Sequence, residues 1–238
     1  MKTFTKFLFW ARNLLFPSSC ALCACGLAGV KEIRESLCGQ CSLSIEPINE
    51  PVCNVCGKPL VSEINICLPC RNSEEVGRSY ERLWVLFPYT GKYRKLLTSY
   101  KFAKNLCLAN FFAEKIFDLI QKIPELKDAV VVPVPPRPGK IKETGWDQVE
   151  YLVKKLKKNF NFTVSKCLKR LKSKAQKSLN RADRMENLKG KIYFNGKVLE
   201  TALLIDDVIT TGSTMEVCAR TLKEAGAQKV YGICLFYD

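Results

Sequence analysis

The sequence predicts an α/β fold: a mainly parallel sheet flanked by helices on both faces, with a small cysteine-rich module ahead of it. Two apolar runs, at residues 130–134 and 201–205, have the pattern of strands that are buried on both faces, as strands of parallel sheets are. Amphipathic helical patterns lie between them, and alternating strands and helices favour a parallel sheet. Nine of the 13 cysteines precede residue 71, in a region with little core-forming sequence.

The composition fits a globular protein whose basic charge is concentrated in one part. The 238 residues are enough for one ordinary domain and a small one. Residues 1–90 hold 9 Lys and Arg against 8 Asp and Glu, whereas residues 91–238 hold 29 against 15, a net charge of +14. Such a charge favours phosphate-rich partners, either a polyphosphate substrate or nucleic acid, although a solvated basic surface has the same composition.

The chain contains no histidine. It therefore lacks the commonest general base and the commonest nitrogen ligand of zinc. Any catalysis must depend on carboxylates, on Lys or Arg, on backbone donors or on a metal carried by the substrate. Any zinc must be held by thiolates, alone or together with a carboxylate.

Residues 1–18 are predicted to contain an amphipathic helix that packs on the protein itself. Its apolar positions recur at helical spacing: Phe4, Phe7, Leu8, Ala11, Leu14 and Leu15. The apolar run is interrupted by Arg12, is too short to span a bilayer and lacks a cleavage site, so we expect no transmembrane segment and a cytoplasmic protein. Docking of this helix on a membrane or a partner is the alternative.

Residues 19–72 are predicted to form a zinc-ribbon module, because four C-x-x-C pairs follow one another there. Each pair turns two sulfurs toward one point, and two pairs complete a tetrahedral site. Taken in chain order, they predict two sites, Cys20, Cys23, Cys38 and Cys41 for the first and Cys53, Cys56, Cys67 and Cys70 for the second. Interleaved pairing is the alternative, and we expect one or two structural zinc ions. Cys25 is expected to be a spare thiol or a substitute for Cys23.

The α/β domain is predicted at residues 83–238, after a polar linker. Its strands are expected at residues 83–89, 129–134, 164–171 and 201–205. Its helices are expected at residues 91–102, 106–122, 146–158 and 215–225. The first of these helices is basic with interleaved aromatic residues; this suits nucleic-acid contacts, but a helix with a buried apolar stripe is the favoured interpretation.

An acidic pair and a small hydroxylic loop follow the second apolar run. Asp206 and Asp207 come first, and the loop at residues 210–214 then leads into a helix. Backbone N–H groups of such a loop and a helix N-terminus favour a phosphate, and the carboxylates can accept hydrogen bonds from sugar hydroxyls or bind a Mg²⁺-bound sugar. The alternative is an ordinary strand-to-helix turn in which Ser213 or Thr214 is an N-cap.

Basic residues lie near the predicted carboxyl edge of the sheet, where open parallel sheets bind ligands. A diphosphate could contact Arg137, Lys140 or Lys142, which follow the strand at residues 129–134. The basic stretch at residues 172–191 is interpreted as a mobile cationic flap that closes over a polyphosphate, with a solvated loop or a frayed helix as the alternative.

The stretch at residues 203–214 resembles the phosphoribosyl pyrophosphate (PRPP) signature of type I phosphoribosyltransferases. The resemblance implies that Asp206 and Asp207 accept hydrogen bonds from the ribose hydroxyls. It also implies a loop that surrounds the 5′-phosphate, formed by Thr210, Thr211, Gly212, Ser213 and Thr214. PRPP is expected as its Mg²⁺ complex, with Arg137 among the residues that bind it.

Nearly the whole chain resembles the ComF family, bacterial proteins linked to DNA uptake in natural competence, which combine an N-terminal helix, a cysteine-rich zinc module and a phosphoribosyltransferase-like domain. The matching positions are the Val-Pro-Val-Pro sequence at residues 132–135 and the spaced residues Gln176, Leu179, Arg184 and Asn187. Residues 144–148 read Thr-Gly-Trp-Asp-Gln where the family has Arg-Gly-Phe-Asn-Gln, so the Arg is lost, and Lys142 could replace it only as a point charge.

The resemblance implies a protein that binds PRPP and handles single-stranded DNA during uptake, with proteins of the uptake machinery as partners. The alternative is an active phosphoribosyltransferase that transfers the phosphoribosyl group to a base or an amine. Neither the residues nor the resemblance assigns a catalytic residue.

Overall fold

The predicted parallel sheet is present in the computed structural model, which describes residues 17–61, 64–71, 78–171 and 190–238. The predicted N-terminal helix and most of the predicted flap at residues 172–191 lie outside the described residues. Four strands form the sheet: β1 (Arg82–Pro88), β2 (Val130–Pro133), β5 (Thr201–Ile209) and β6 (Lys229–Tyr237). Their order in the sheet is β1-β6-β5-β2, and every neighbouring pair is parallel.

A short antiparallel ribbon accompanies the sheet. It pairs β3 (Leu168–Arg170) with β4 (Ile192–Phe194). The sequence predicts one longer strand at residues 164–171, but the start of that segment makes a single parallel bridge, Val131 to Val164, and only its end is a strand. β6 was missed in the sequence, although residues 230–236 are an apolar run interrupted only by Gly232.

The helices agree with the predicted ones to within about two residues at each end where both exist. In chain order they are α1 (Val30–Glu35), α2 (Gly39–Ser44), α3 (Leu68–Arg71), α4 (Gly91–Lys101), α5 (Leu108–Gln121), α6 (Lys140–Thr144), α7 (Gln148–Phe160) and α8 (Ser213–Glu224). None of the helices in the described part of the chain combines the length and the apolar character that crossing a bilayer requires.

The described residues form two compact units. One contains residues up to Glu46 together with Thr90–Phe111, and the other contains Pro47–Tyr89 together with Phe112–Asp238. The cysteines up to Cys41 therefore lie in the first unit, and those from Cys53 to Cys70 lie in the second. The domain boundaries inferred from the sequence, after residues 18 and 72 and before residue 83, stay a prediction.

In the first unit, two lysines of α4 donate hydrogen bonds to backbone carbonyl oxygens of the same unit. Lys92 donates to the carbonyl oxygen of Ser44 and Lys95 donates to that of Leu22. Its apolar side chains are buried, namely Leu96, Leu97 and Tyr100. The interpretation of this helix as one with a buried apolar stripe is therefore confirmed.

In the second unit, the sheet positions the candidate site through unequal strand lengths. β5 pairs with β6 as far as Ile209 opposite Tyr237, whereas its pairing with β2 ends at Ile205 opposite Pro133. β5 is therefore longer than the apolar run that predicted it, and its last four residues project beyond β2. Beside these residues β2 gives way to the loop that begins at Val134, at the carboxyl edge where open parallel sheets bind ligands.

Candidate functional site

Asp206 and Asp207 occupy the part of β5 that projects beyond β2. Because successive side chains of a strand point to opposite faces, the two carboxylates lie on different sides of the sheet. Asp207 is buried and accepts a hydrogen bond of 2.6 Å from Nε2 of Gln148, the first residue of α7. Asp206 lies on the side of α8, where burial and, secondarily, the Asp206 carboxylate raise the pKa of the Cys218 thiol. Two helices therefore supply the surroundings of the acidic pair.

The loop after β5 delivers backbone N–H groups and hydroxyls to the same edge of the sheet. Gly212 has φ of 75° immediately before α8, a conformation that favours glycine. The hydroxyls of Thr211 and Ser213 are hydrogen-bonded at 2.9 Å, and the N–H of Ser213 donates to Thr211 Oγ1 at 3.4 Å. The first turn of an α-helix has N–H groups without intrahelical carbonyl partners, and the N-terminus of α8 is therefore favourable for an anion.

A polar network links the acidic pair to α6 and α7. Lys140 Nζ donates to Asp147 Oδ2 at 2.6 Å and also contacts Oε1 of Gln148. The Asp147 side chain is only 2% exposed, and its Oδ1 accepts from the N–H of Glu150 at 2.8 Å. The acid at the position where the family pattern has Asn is thus the N-cap of α7, and the cation of Lys140 compensates its buried charge.

The side chain of Gln148 connects Lys140 to Asp207. Its amide oxygen faces the Lys140 ammonium and its amide nitrogen faces the Asp207 carboxylate, so both ends of the amide have a partner of the correct polarity. Lys140, one of the predicted diphosphate-binding residues, is therefore engaged with Asp147 and Gln148. Gln148 positions an acid of the site, a role that the sequence did not reveal.

Arg137 follows β2 at the carboxyl edge but is paired with a carboxylate of the protein. Its Nη1 donates to Glu143 Oε1 at 2.7 Å, and its Nη2 donates to the other carboxylate oxygen. These hydrogen bonds lower the pKa of Glu143, and both side chains are about half exposed. The carboxylate occupies the guanidinium in the bidentate way in which a phosphate would bind it.

Replacing Glu143 by Gln is therefore expected to raise the affinity for PRPP about two- to five-fold. The gain is small because an exposed ion pair is weak, so Glu143 competes only weakly with the diphosphate for the Arg137 guanidinium. Isothermal titration with PRPP and Mg²⁺ measures the change. Glu224→Gln is the matched control, since it removes the same charge at the far end of α8. Equal affinity of Glu143→Gln, Glu224→Gln and the unaltered protein would show that Arg137 does not bind the diphosphate.

Arg170, at the end of β3, is a cation near the site that the sequence did not single out. Its Nε is buried and has no hydrogen-bond partner among the described residues. Burial lowers the pKa of Arg170, while Cys218 and Asp206 raise it and Arg137 lowers it further. Arg170 therefore lies within electrostatic range of both Asp206 and Arg137. The only signal in the sequence was its place at the end of a predicted strand.

The second cysteine cluster has the geometry of a tetrahedral thiolate site. The sulfurs of Cys53, Cys56, Cys67 and Cys70 all lie within 4.8 Å of one another. Those of Cys56 and Cys67 are 3.7 Å apart, and tetrahedral Zn–S bonds of about 2.3 Å separate sulfurs by about 3.8 Å. This geometry fits a structural zinc ion.

The first cluster also fits zinc, but with five thiols rather than four. The sulfurs of Cys20, Cys23, Cys25 and Cys38 lie within 4.8 Å of one another, so Cys25, expected to be spare, belongs to the group. Cys41 lies next to this group, because its N–H donates to Cys38 Sγ at 3.5 Å. The C-x-x-C pairs group in chain order, and the ligand role of Cys41 stays a prediction.

Comparison with known proteins agrees with this architecture. A family model described as a double zinc ribbon domain matches residues 11–71. The chain is similar to competence protein ComFC of Streptococcus pneumoniae, with 30% identity over 197 residues that cover 82% of this chain and 84% of that protein. It is also similar to competence protein F of Haemophilus influenzae, with 24% identity over 83% of this chain and 88% of that protein. Competence protein ComFC of Bacillus subtilis is 26% identical over 81% of this chain and 80% of its own length.

Proposed function

Because the chain belongs to the ComF family of competence proteins, we propose that it binds PRPP at the carboxyl edge of its sheet and handles single-stranded DNA during DNA uptake. The observation that carries the PRPP part is the placement of Asp206 and Asp207 beyond the end of β2, directly before a hydroxylic loop and the N-terminus of α8. The carboxyl edge of the sheet thus has acceptors for sugar hydroxyls only a few residues away from donors for a phosphate.

Each part of PRPP has a counterpart in this arrangement. The 5′-phosphate would meet the N–H groups and hydroxyls of residues 210–214, and the ribose hydroxyls would donate to the two carboxylates. The diphosphate, with its Mg²⁺, would lie toward the loop that carries Arg137, where Arg170 adds a second guanidinium. The protein would contribute positioning and electrostatic stabilisation, which suits a chain that has no histidine.

The proposal for DNA rests on charge and on the relatives. Residues 91–238 carry a net charge of +14, and nucleic-acid backbones are bound chiefly through the neutralisation of phosphates by Lys and Arg. The similar proteins are named for competence, the process in which a cell takes up DNA. Proteins of the uptake machinery are the partners that this role would require.

Titration with a single-stranded oligonucleotide at two salt concentrations tests this part. We expect binding at low salt that weakens about 50-fold between about 50 and 200 mM salt if about four phosphates are neutralised, because counterion release makes the affinity salt-dependent. Fluorescence anisotropy of a labelled oligonucleotide measures it. Absence of binding at the lower salt concentration would refute DNA handling and leave the PRPP proposal to its own test.

An active phosphoribosyltransferase is the second candidate, favoured by the completeness of the acidic pair, loop and helix N-terminus. The reaction would replace the diphosphate at C1′ of the ribose by a base or an amine. Release of pyrophosphate from PRPP in the presence of each acceptor is the measurement. No release with any base would count against this candidate, although PRPP binding would still support the first one.

A further inference from the structure

Glu216 is a buried carboxylate one turn after the phosphate loop, on the helix whose N-terminus would bind the 5′-phosphate. Its side chain is only 2% exposed. Both of its oxygens accept from the N–H of Ser79 at 3.2 Å, and Oε1 also accepts from the Ser79 hydroxyl at 2.7 Å. A buried carboxylate is costly unless its oxygens accept such hydrogen bonds. The segment before β1 is therefore fixed to the first turns of α8.

The residue before Ser79 reaches the second cysteine cluster instead. Arg78 Nη2 lies 4.0 Å from Sγ of Cys70. Two consecutive residues thus connect a predicted zinc ligand to the helix of the phosphate site.

A second route runs through packed apolar atoms. Residues 53–57, the turn of the second cysteine cluster that we call the second cysteine knuckle, are bonded to β1: the N–H of Leu83 donates to the carbonyl oxygen of Val55 at 2.9 Å. Leu83 in turn packs on Gly232 of β6, because a Cβ added to that glycine would lie 2.7 Å from Leu83 Cδ1. The same Cβ would lie 3.1 Å from the sulfur of Met215, the third residue of α8.

Gly57 shows how closely this knuckle approaches the sheet. It has φ of 70°, and a Cβ added there would lie 2.7 Å from the carbonyl oxygen of Leu83. Only glycine fits both constraints. The knuckle is therefore in direct van der Waals contact with β1 and is not a separate appendage of the second unit.

We propose that the second cysteine knuckle is a structural part of the phosphate site, and that Ser79 and Glu216 are positioning residues that transmit its order to the first turn of α8. This inference rests on the proposed PRPP function for its ligand. Zinc at Cys53, Cys56, Cys67 and Cys70 would fix Arg78, Ser79 and β1, and these would fix the N–H groups that receive the phosphate.

Three variants test the polar route by titration with PRPP and Mg²⁺. Ser79→Ala and Glu216→Ala are expected to lower the affinity about five-fold or more, the size of a typical coupling between sites, with the zinc content unchanged. Glu216→Gln keeps an amide oxygen for Ser79 and is expected to restore most of the affinity. Thr221→Val is the control, because in the last part of the same helix it removes the hydrogen bonds that the Thr221 hydroxyl donates to the carbonyl oxygens of Val217 and Ile192.

Removal of zinc from one cluster at a time tests the metal. Cys70→Ser should lower PRPP affinity, whereas the double variant Cys25→Ser with Cys41→Ser, which should lose the zinc of the first cluster, should not. Hydrogen exchange at the amides of residues 216–219, the first in α8 with intrahelical carbonyl acceptors, measured without ligand, should accelerate in Ser79→Ala and Cys70→Ser but not in that double variant or in Thr221→Val. Hydrogen exchange tests whether the second cysteine cluster orders the start of α8 even if the unaltered protein fails to bind PRPP. Failure to bind PRPP would refute the proposed function but not this coupling. Unchanged exchange and unchanged affinity in Ser79→Ala and Glu216→Ala would overturn the inference.

Discussion

Replacing Asp206 and Asp207 together by Ala is expected to abolish measurable PRPP binding while the protein stays folded. Each carboxylate would accept a charge-assisted hydrogen bond from a ribose hydroxyl, worth about 1.5–3 kcal/mol, so the pair accounts for about 100- to 20,000-fold in affinity. Isothermal titration with PRPP and Mg²⁺ gives the affinity, and circular dichroism shows whether the fold persists.

The control for this experiment has to reproduce the change in charge. Asp118 and Asp128 are both exposed, and Asp128 lies just before β2, at the opposite edge of the sheet from the site. Asp118→Ala with Asp128→Ala therefore removes the same two charges and should bind PRPP as the unaltered protein does. If the Asp206 and Asp207 double variant also binds normally, the assignment of the ribose site to these residues is wrong.

The single variants should differ, because the two carboxylates have different structural roles. Asp206→Asn alters a half-buried acid and is expected to affect binding more than stability. Asp207→Asn can keep its amide oxygen toward Nε2 of Gln148, but its NH₂ group replaces the other carboxylate oxygen, so a buried acceptor becomes a buried donor without a partner. The cost of such an unpaired buried group, about 1–3 kcal/mol, would appear in the thermal midpoint.

The parts of the fold that could be predicted are those set by local pattern. A strand buried on both faces must be apolar throughout, and this requirement made β2 and most of β5 recognisable in the sequence. The cysteine pairs were equally clear because the spacing within each pair suffices to define half of a site. β6 was missed because Gly232 interrupts its run, although that glycine is required where Leu83 and Met215 meet.

The supporting residues of the site could not be predicted, because their partners are remote in the sequence. Gln148 and Asp207 are 59 positions apart, and Ser79 and Glu216 are 137 apart. Nothing in either local pattern distinguishes such a pair from residues that face solvent. Even the contact between Arg137 and Glu143 spans six positions across a turn and matches no regular helical spacing. The fold brings these groups together after the apolar pattern has determined the sheet.

Cys67→Ser, which removes a predicted ligand of the second zinc site, is expected to lower stability more than a typical core substitution does. A structural zinc site contributes about 10–16 kcal/mol, which is comparable to the whole stability of a typical domain. Cys67 is buried in a cluster that includes Leu60, and its N–H donates to Cys53 Sγ at 3.4 Å. Mass spectrometry should find one zinc ion per chain instead of two, and the thermal midpoint should fall sharply.

The first cluster is expected to tolerate the loss of one cysteine, unlike the second cluster, since it contains one thiol more than zinc needs. Cys25→Ser and Cys41→Ser should each retain two zinc ions, because the other residue can complete the site, whereas the double variant should retain one. Cys107→Ser, which removes an exposed thiol outside both clusters, should leave the zinc content unchanged. Two zinc ions in Cys67→Ser would refute the second site. One zinc ion in Cys41→Ser, but two in Cys25→Ser, would show that Cys41 is the fourth ligand and that Cys25 cannot replace it.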